Sequence, residues 1–200
     1  MSDKLCFETI CVENRTLKNL LFHEARLNKT RRELWGYADE WTLSELIEIQ
    51  DSIDNEIHKC RLSFGKEIEE IRWEPYTMRT IRKIRRVYHD DIDYSYKYEG
   101  REELNALFAQ RDDADEILII RNGLVTDSSY CNVAFFDGSS WVTPSTPLLP
   151  GTQRAFLLQT GVINEAAVQE IDLTGFSHIK LFNAMMDWER APMLETSAIV

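Results

Sequence analysis

Residues 123–136 read Gly-Leu-Val-Thr-Asp-Ser-Ser-Tyr-Cys-Asn-Val-Ala-Phe-Phe, and residues 148–155 read Leu-Leu-Pro-Gly-Thr-Gln-Arg-Ala. In the first stretch, the apolar residues predict a strand that ends at Asp127 and another that begins at Asn132. In the second stretch, a proline and a glycine end a loop where a helix is expected to begin. Both stretches therefore place polar side chains or backbone amides at the ends of regular elements.

Asp127 is a candidate partner for a protonated ring nitrogen. A buried carboxylate at this position could hold a pyridinium nitrogen protonated, which makes such a ring an electron sink. The alternative is a hydrogen-bonded turn aspartate, because Asp-Ser-Ser is a common turn sequence. Ser128 and Ser129 are candidates for direct ligand contact, and hydrogen bonds within the turn are their alternative role.

The predicted helix after Gly151 provides a candidate seat for a phosphate group. The amides of Thr152 and Gln153 lie in its first turn, where backbone N–H groups have no partner inside the helix and the helix dipole favours an anion. Many helices begin in this way with only water at their end. The helix start alone therefore leaves both interpretations open.

Lys97 follows Tyr94-Ser95-Tyr96 at the end of a predicted strand. Flanking aromatic side chains could partly desolvate its amine, which would then lose its proton more easily and attack an aldehyde carbon. A solvated surface lysine is the alternative interpretation of the same pattern.

Taken together, these motifs resemble the aminotransferase class IV family of fold-type IV pyridoxal-phosphate enzymes. This family includes branched-chain aminotransferases, D-amino acid aminotransferases and 4-amino-4-deoxychorismate lyases. Residues 123–135 are similar to its pattern of a strand, an acidic residue and small polar residues before Asn-Val/Leu-Phe, and residues 149–154 are similar to its Leu-x-Gly segment. The family's cofactor lysine lies some thirty residues before the acidic residue, as Lys97 precedes Asp127. The similarity extends over about residues 6–192.

An N-terminal motif supports the same resemblance. The stretch His23-Glu24-Ala25-Arg26-Leu27 is similar to the family's His-x-x-Arg-Leu, whose arginine binds the cofactor phosphate. The resemblance therefore implies this role for Arg26, since an arginine on a dianionic phosphate makes a strong and often bidentate contact. The alternative is a surface salt bridge on a charged helix.

The resemblance also implies an architecture and a set of partners. We expect an α+β fold like that of D-amino acid aminotransferase, with a small N-terminal α/β domain at residues 1–96. A C-terminal cofactor-binding domain with a barrel-like sheet is expected at residues 97–200, with the cofactor between the two. The resemblance implies pyridoxal 5'-phosphate as the cofactor, Lys97 and Asp127 as catalytic residues, a small-molecule amino substrate and a homodimer.

Two departures from the family pattern bear on the reaction. Asp127 stands where the family usually has glutamate, so the backbone or the cofactor must lie slightly closer. Phe182-Asn183-Ala184-Met185-Met186 replaces a Thr/Ser-rich phosphate-binding stretch of many transaminases and is similar to the Asn-Ala-Leu stretch of some deoxychorismate lyases. This makes Asn183 a candidate cofactor contact and favours a lyase that releases 4-aminobenzoate and pyruvate. The alternatives are an aminotransferase for branched-chain or D-amino acids, and a catalytically degenerate relative that binds the cofactor or a partner protein.

Composition limits the other classes of function. The 200 residues carry a net charge of -11, which opposes general binding to nucleic acids or anionic membranes. The four cysteines are scattered without metal-ligand spacing, and no leader or long apolar run is visible, so we expect a cytoplasmic protein with reduced thiols and no metal. The basic stretch Arg79 to Arg86 leaves nucleic-acid binding as a minor alternative, because such charges on a half-buried strand usually face solvent.

Hydrophobic periodicity predicts the order of the elements. An opening hairpin with a second strand over residues 17–22 is followed by a helix over 23–34 that ends at Gly36, and by a helix with a capping box at Thr42-Leu43-Ser44-Glu45. Residues 57–96 predict an antiparallel sheet of about three strands. After Gly100 the pattern predicts a helix over 101–110, several short strands joined by tight turns, and a helix from residue 152 to Gly161.

Overall fold

The computed structural model describes residues 4–200, which divide into two compact units. The first unit holds residues 4–78 and 96–100, and the second holds residues 79–95 and 101–200. Lys97 belongs to the first unit, although the sequence placed the domain boundary between residues 96 and 97. The division into a small domain and a cofactor-binding domain stays a prediction.

The first unit is a four-stranded antiparallel sheet with two helices. Its elements are β1 (Cys6–Glu13), β2 (Thr16–Leu17), α1 (Leu20–Trp35), α2 (Leu43–Leu46), β3 (His58–Phe64) and β4 (Ile68–Pro75). The strand order is β2-β1-β3-β4. Ile10 and Val12 lie on the same face of β1 and are buried with Leu27 of α1 in one apolar core. The helix is therefore held against the sheet by burial of apolar surface.

Helix α1 begins at Leu20, about one turn earlier than the sequence predicted. The expected strand over residues 17–22 is consequently wrong in length, since β2 has only two residues. Asn19 adopts a left-handed conformation with φ of 52°, which turns the chain directly from β2 into the helix. The predicted end is confirmed, because Gly36 has φ of 77° and its N–H donates to the carbonyl of Arg32 at 3.0 Å.

The second predicted helix is reduced to the single turn of α2, and its capping box does not form. Thr42 makes no side-chain hydrogen bond to the helix. The N–H of Leu43 instead donates to the carboxylate of Glu24, in α1, at 2.8 Å. A side chain distant in sequence thus replaces the local cap, and the chain becomes extended at Ile47.

The second unit contains two sheets, two α-helices and three short 3-10 helices. Its elements are β5 (Ile84–Tyr88), α3 (Glu102–Ala109), β6 (Glu116–Arg121), β7 (Leu124–Ser128), β8 (Asn132–Phe136), β9 (Trp141–Pro144), α4 (Thr152–Gln159), β10 (Asn164–Ala166), β11 (His178–Phe182) and β12 (Met193–Glu195). The strand orders are β5-β6-β7 and β10-β9-β8-β11-β12, and a closed barrel stays a prediction. Along residues 4–200, the structure has no helix of the length and apolarity that crossing a membrane requires.

The predicted antiparallel sheet of about three strands over residues 57–96 is wrong in the placement of its last strand, β5. It pairs in parallel with β6 of the second unit, from Ile84 opposite Glu116 to Tyr88 opposite Ile120, and does not extend the sheet of β3 and β4. Parallel neighbours need a crossover, which α3 provides here. Alternation predicted the strand correctly, but it does not specify which strand becomes its partner.

The basic stretch from Arg79 to Arg86 carries several charges that are paired with acidic side chains. The Lys83 amine lies 2.7 Å from Asp113, and Arg86 lies 3.1 Å from Glu170. These are partly exposed pairs within the second unit, where each contributes little to stability. They neutralise much of the positive charge that the sequence displays along this strand.

Candidate active site

Asp127 lies in β7 with its carboxylate buried and fixed at both oxygens. The side-chain amide of Asn132 donates to Oδ1 at 2.8 Å, and the backbone N–H of Leu149 donates to Oδ2 at 3.0 Å. Asn132 begins β8, and Leu149 lies in the loop before α4. Three segments of the second unit therefore hold one carboxylate in a defined orientation.

Burial raises the pKa of Asp127 to about 6, although hydrogen bonds from Leu149 and Asn132 and the charge of Arg154 act in the opposite direction. The carboxyl group is therefore ionised in most molecules at neutral pH. Each carboxylate oxygen has two lone-pair sites, and Asn132 and Leu149 occupy one on each. The carboxylate can accept a further proton donor from a ligand.

The loop before α4 closely approaches Asn132. The Asn132 amide also donates to the carbonyl of Leu149 at 2.9 Å, so it connects this loop to Asp127. A Cβ atom placed on Gly151 would lie 2.0 Å from Oδ1 of Asn132. Gly151 itself has an ordinary extended conformation, so the requirement for glycine here is steric.

We expect Gly151→Ala to destabilise the protein by about 1–3 kcal/mol, since the added methyl group must displace Asn132 from its bond to Asp127. Thermal unfolding checks this expectation. The matched control is Gly175→Ala, because a Cβ on Gly175 meets no atom within 4 Å. Equal melting temperatures for the two variants would contradict the proposed contact.

Helix α4 begins at Thr152, as the sequence predicted. Thr152 and Gln153 are both buried in its first turn, and Gly151 precedes the first helical residue. The first N–H groups of an α-helix have no partner within the helix, and they carry the positive end of its dipole. The segment thus has the properties of an anion-binding helix start, and its role with phosphate stays a prediction.

The remaining candidates of the second unit shape the turn after Asp127. The hydroxyl of Ser128 accepts the N–H of Cys131 at 3.0 Å, and the N–H of Ser129 donates to Glu116 at 3.0 Å. Asn183 lies directly after β11, and its amide approaches the sulfur of Cys131 at 3.3 Å. Each of the three residues thus makes a hydrogen bond within the protein, through its side chain or its backbone. Their contact with a cofactor stays a prediction.

Lys97 lies in the first unit, in an irregular segment that is bridged to β1. Its carbonyl accepts the N–H of Phe7 at 2.9 Å, and Tyr98 forms an isolated antiparallel bridge with Cys6. The predicted strand before Lys97 is therefore wrong. The Lys97 amine lies 4.6 Å from the centroid of the Phe7 ring, and the residue is partly buried. Such a contact with an aromatic face orients the amine within the first unit.

Arg26 is held by a buried carboxylate that the sequence did not single out. Its Nε donates to Oε1 of Glu8 at 2.8 Å, and its Nη2 donates to Oε2 at 2.6 Å. Nδ1 of His23 lies 2.7 Å from the same Oε2. We call these three residues the Glu8 network. A sequence signal for it did exist, since Glu8 is the one acidic side chain on the otherwise apolar face of β1.

Comparisons with known proteins place the chain in a family. A model of the amino-transferase class IV family matches residues 101–191. An uncharacterized protein of Haemophilus influenzae is 41% identical over 181 residues, which cover 90% of this chain and 96% of that protein. A solved Haemophilus somnus structure, provisionally named a 4-amino-4-deoxychorismate lyase, is 34% identical with a TM-score of 0.86, over 92% of this chain and 98% of that one. The chain belongs to the class IV aminotransferase family.

A second named relative matches over a shorter segment. A Schizosaccharomyces pombe protein, provisionally named an aminodeoxychorismate lyase, is 36% identical over 89 residues, which are 42% of this chain and 38% of that protein. The predicted family and the mixed helix and sheet fold are thus confirmed.

Class IV aminotransferases are pyridoxal-phosphate enzymes, and the residues of this chain fit the polar groups of that cofactor. The buried Asp127 carboxylate has lone pairs to accept a protonated ring nitrogen, and Lys97 carries an amine of the kind that attacks an aldehyde. Arg26 and the first turn of α4 each supply donors suited to phosphate. Each of these groups has the chemistry that one part of the cofactor requires.

The sequence analysis missed two residues, Glu116 and Arg101, that support the turn after Asp127. Glu116 is fully buried at the start of β6, and burial raises the pKa of its carboxyl group. It accepts the N–H of Ser129, while Arg101 donates to the carbonyl of Ser129 at 2.6 Å. A glutamate directly before the apolar run Ile117–Ile120 was the available signal. A buried acid there needs partners, which only the folded chain identifies.

Proposed function

We propose that this class IV enzyme is a 4-amino-4-deoxychorismate lyase that uses pyridoxal 5'-phosphate and releases 4-aminobenzoate and pyruvate. The observation that carries the proposal is the buried Asp127 carboxylate, held by Asn132 and Leu149 and still able to accept a ring N–H. The family membership of the chain supports the choice of cofactor. A cytosolic location and a homodimeric assembly belong to the same proposal.

The chain supplies three groups of residues to hold the cofactor. Lys97 is the lysine that carries it, Asp127 accepts the ring N–H, and Arg26 with the amides of Thr152 and Gln153 binds the phosphate. Ser128, Ser129, Gly151 and Asn183 are proposed to line the site. The bound cofactor supplies an electron-accepting ring.

Asp127 acts in this proposal by holding a proton at the ring nitrogen. A carboxylate within hydrogen-bond distance favours the protonated form of a neighbouring base. Asn132 and Leu149 prevent the carboxylate from rotating away, since each fixes one of its oxygens. The charge is therefore already oriented before a substrate binds, which is the arrangement that electrostatic catalysis requires.

Lys97 acts as the group that moves a proton. Its Nζ atom would take the proton from the carbon that bears the substrate amino group. The Phe7 ring lies beside the amine and restricts the positions that Nζ can take.

Two observations favour a lyase over an aminotransferase. The Haemophilus somnus protein that is provisionally named as a lyase is 34% identical to this chain. The Asn183-Ala184 segment after β11 is similar to that of some deoxychorismate lyases. An aminotransferase that acts on branched-chain or D-amino acids is the second candidate, which membership of the class IV family also supports. A degenerate relative that binds the cofactor or a partner without catalysis is the third.

The decisive experiment supplies the purified, cofactor-loaded protein with aminodeoxychorismate alone, and separately with D- or branched-chain amino acids and 2-oxoglutarate. A lyase needs no second substrate, so we expect 4-aminobenzoate and pyruvate in equal amounts from the first mixture. Formation of glutamate in the second mixture would instead identify an aminotransferase. Cofactor binding with no product in either mixture would indicate the degenerate relative.

A further inference from the structure

We propose that Glu8 is a positioning residue for the phosphate of the cofactor, and that it acts by orienting Arg26, with His23 holding Glu8 in place. The inference rests on the proposed function, since it takes Arg26 as a phosphate ligand. It assigns a role to two buried side chains, Glu8 and His23, that the proposed chemistry does not otherwise use.

The geometry of the Glu8 network is that of a side-on pair. Glu8 receives Nε and Nη2 of Arg26 at 2.8 and 2.6 Å, so two parallel hydrogen bonds fix the plane of the guanidinium. The opposite edge of the guanidinium, with Nη1, points away from Glu8. The pair therefore determines the direction in which Arg26 can offer donors to an anion.

His23 completes the coordination of Glu8 from the same helix as Arg26. Its side chain is fully buried, and its Nδ1 lies 2.7 Å from Oε2 of Glu8. Burial lowers the pKa of His23, so the imidazole is neutral at physiological pH. An ionised carboxylate only accepts hydrogen bonds, so Nδ1 carries the proton and donates it. The network then holds one negative charge on Glu8 and one positive charge on Arg26.

Glu8 remains ionised although it is 1% exposed. Burial alone would raise the pKa of Glu8, but Arg26 and the His23 hydrogen bond outweigh this effect and lower it to about 2. A buried ion pair of this kind is seldom the most stabilising solution, because apolar side chains of similar volume usually stabilise a core at least as well. A stabilising role alone therefore accounts poorly for this ion pair on an apolar strand face.

The network also lies near the proposed catalytic lysine. The carbonyl of Lys97 accepts the N–H of Phe7, the residue before Glu8, at 2.9 Å. Arg26 is the least buried member of the network, with 15% of its side chain exposed. The buried residues Glu8 and His23 thus hold the Arg26 guanidinium, which is partly exposed at the surface of the first unit.

An arginine side chain loses rotamer entropy when it is fixed, and a prior side-on pair removes part of this cost before an anion binds. Glu8 also has an opposing effect, since its negative charge weakens the attraction between Arg26 and phosphate. The two effects predict opposite changes in the affinity for phosphate when Glu8 is replaced. Positioning predicts weaker phosphate binding without Glu8, whereas simple neutralisation predicts tighter binding.

The test compares pyridoxal phosphate with pyridoxal, which lacks the phosphate, on cofactor-free full-length protein. Binding is followed by absorbance. For Glu8→Gln we expect the Kd for pyridoxal phosphate to rise about 10- to 100-fold, with the Kd for pyridoxal changed less than about 3-fold. An unchanged or tighter Kd for pyridoxal phosphate would overturn the proposal. Equal losses for both ligands would also overturn it, since they would indicate a general structural defect.

A second variant, Glu8→Asp, tests the proposal if Glu8→Gln does not fold. Glu8→Asp keeps the charge but shortens the side chain, so it cannot reach both nitrogens of Arg26. We expect the same phosphate-selective loss at a smaller size, and no selective loss would overturn positioning. The matched control is Asp39→Asn. Asp39 pairs at 2.9 Å with Arg31, which lies in α1 like Arg26, so this substitution should leave both Kd values unchanged.

Wild-type protein separates this inference from the proposed function. If wild-type protein binds neither ligand, the proposed cofactor is wrong and the Glu8 inference falls with it. If wild-type protein prefers pyridoxal phosphate over pyridoxal and Glu8→Gln keeps that preference, only the positioning role is overturned.

Discussion

Replacing Lys97 with alanine should abolish covalent attachment of pyridoxal phosphate and lower the rate of product formation by at least about 10³-fold, because one amine serves as both the attachment point and the proton carrier. The first measurement is the absorbance of the bound cofactor and its trapping by borohydride. Wild-type protein should yield one reduced, cofactor-labelled peptide that contains Lys97. Lys97→Ala should yield none.

A second lysine, Lys180, provides a control for this test. Lys180 is buried in β11, and burial lowers the pKa of its amine. Its Nζ donates to the carbonyl of Trp188 at 2.7 Å and lies 4.5 Å from the ring of that residue. We expect this amine to have a structural role, so the control Lys180→Met should retain labelling at Lys97. Label on Lys180 in the wild-type protein would contradict the assignment of Lys97.

Asp127→Asn should lower kcat/KM by about 10²–10³-fold, since an amide of the same size carries no charge to hold the ring nitrogen protonated. The substitution also disturbs the local hydrogen bonds, because one arm of the new amide is a donor that faces another donor at Asn132 or Leu149. The melting temperature must therefore be measured beside activity. A rate loss without a comparable loss of stability is the expected pattern.

Asp127→Glu provides the matched comparison, because it keeps the charge and restores the residue that is usual in the family. We expect it to keep activity within about 10-fold of wild type, with the longer side chain compensated by small shifts of Asn132 or the cofactor. If Asp127→Asn were as active as the wild-type protein, the carboxylate would have no role at the ring nitrogen. The residue would then be the turn aspartate that its sequence context also permits.

Local patterns predicted elements well where the deciding interactions are themselves local. The glycine end of α1 is one example, because Gly36 supplies a left-handed residue that the C-terminus of a helix needs. The start of α4 is another, since proline and glycine stop the preceding loop. The predictions failed where a distant residue decides. Glu24 caps α2 in place of Thr42. Strand β5 pairs with β6 and not with the sheet of β3 and β4 that the sequence predicted.

The candidate site shows the same division. The motifs around Asp127 and Gly151 were recognisable in the sequence, but their connection through the amide of Asn132 was not. Arg26 was found by its motif, whereas its partner Glu8 was missed. An acid on an apolar strand face becomes interpretable only when the helix packed against it is known.

The amino-acid sequence by itself determined the family, the identity of the candidate lysine, carboxylate and arginine, the end of α1 and the start of α4, because these depend on residue type and short spacing. Only the tertiary structure decided which strands pair and which side chains fix Asp127 and Arg26. It also decided that burial dominates the raised pKa of Asp127, whereas Arg26 and His23 outweigh burial and lower the pKa of Glu8. The physical reason is that burial and hydrogen bonding depend on residues far apart in the chain, whose approach is a property of the packed core.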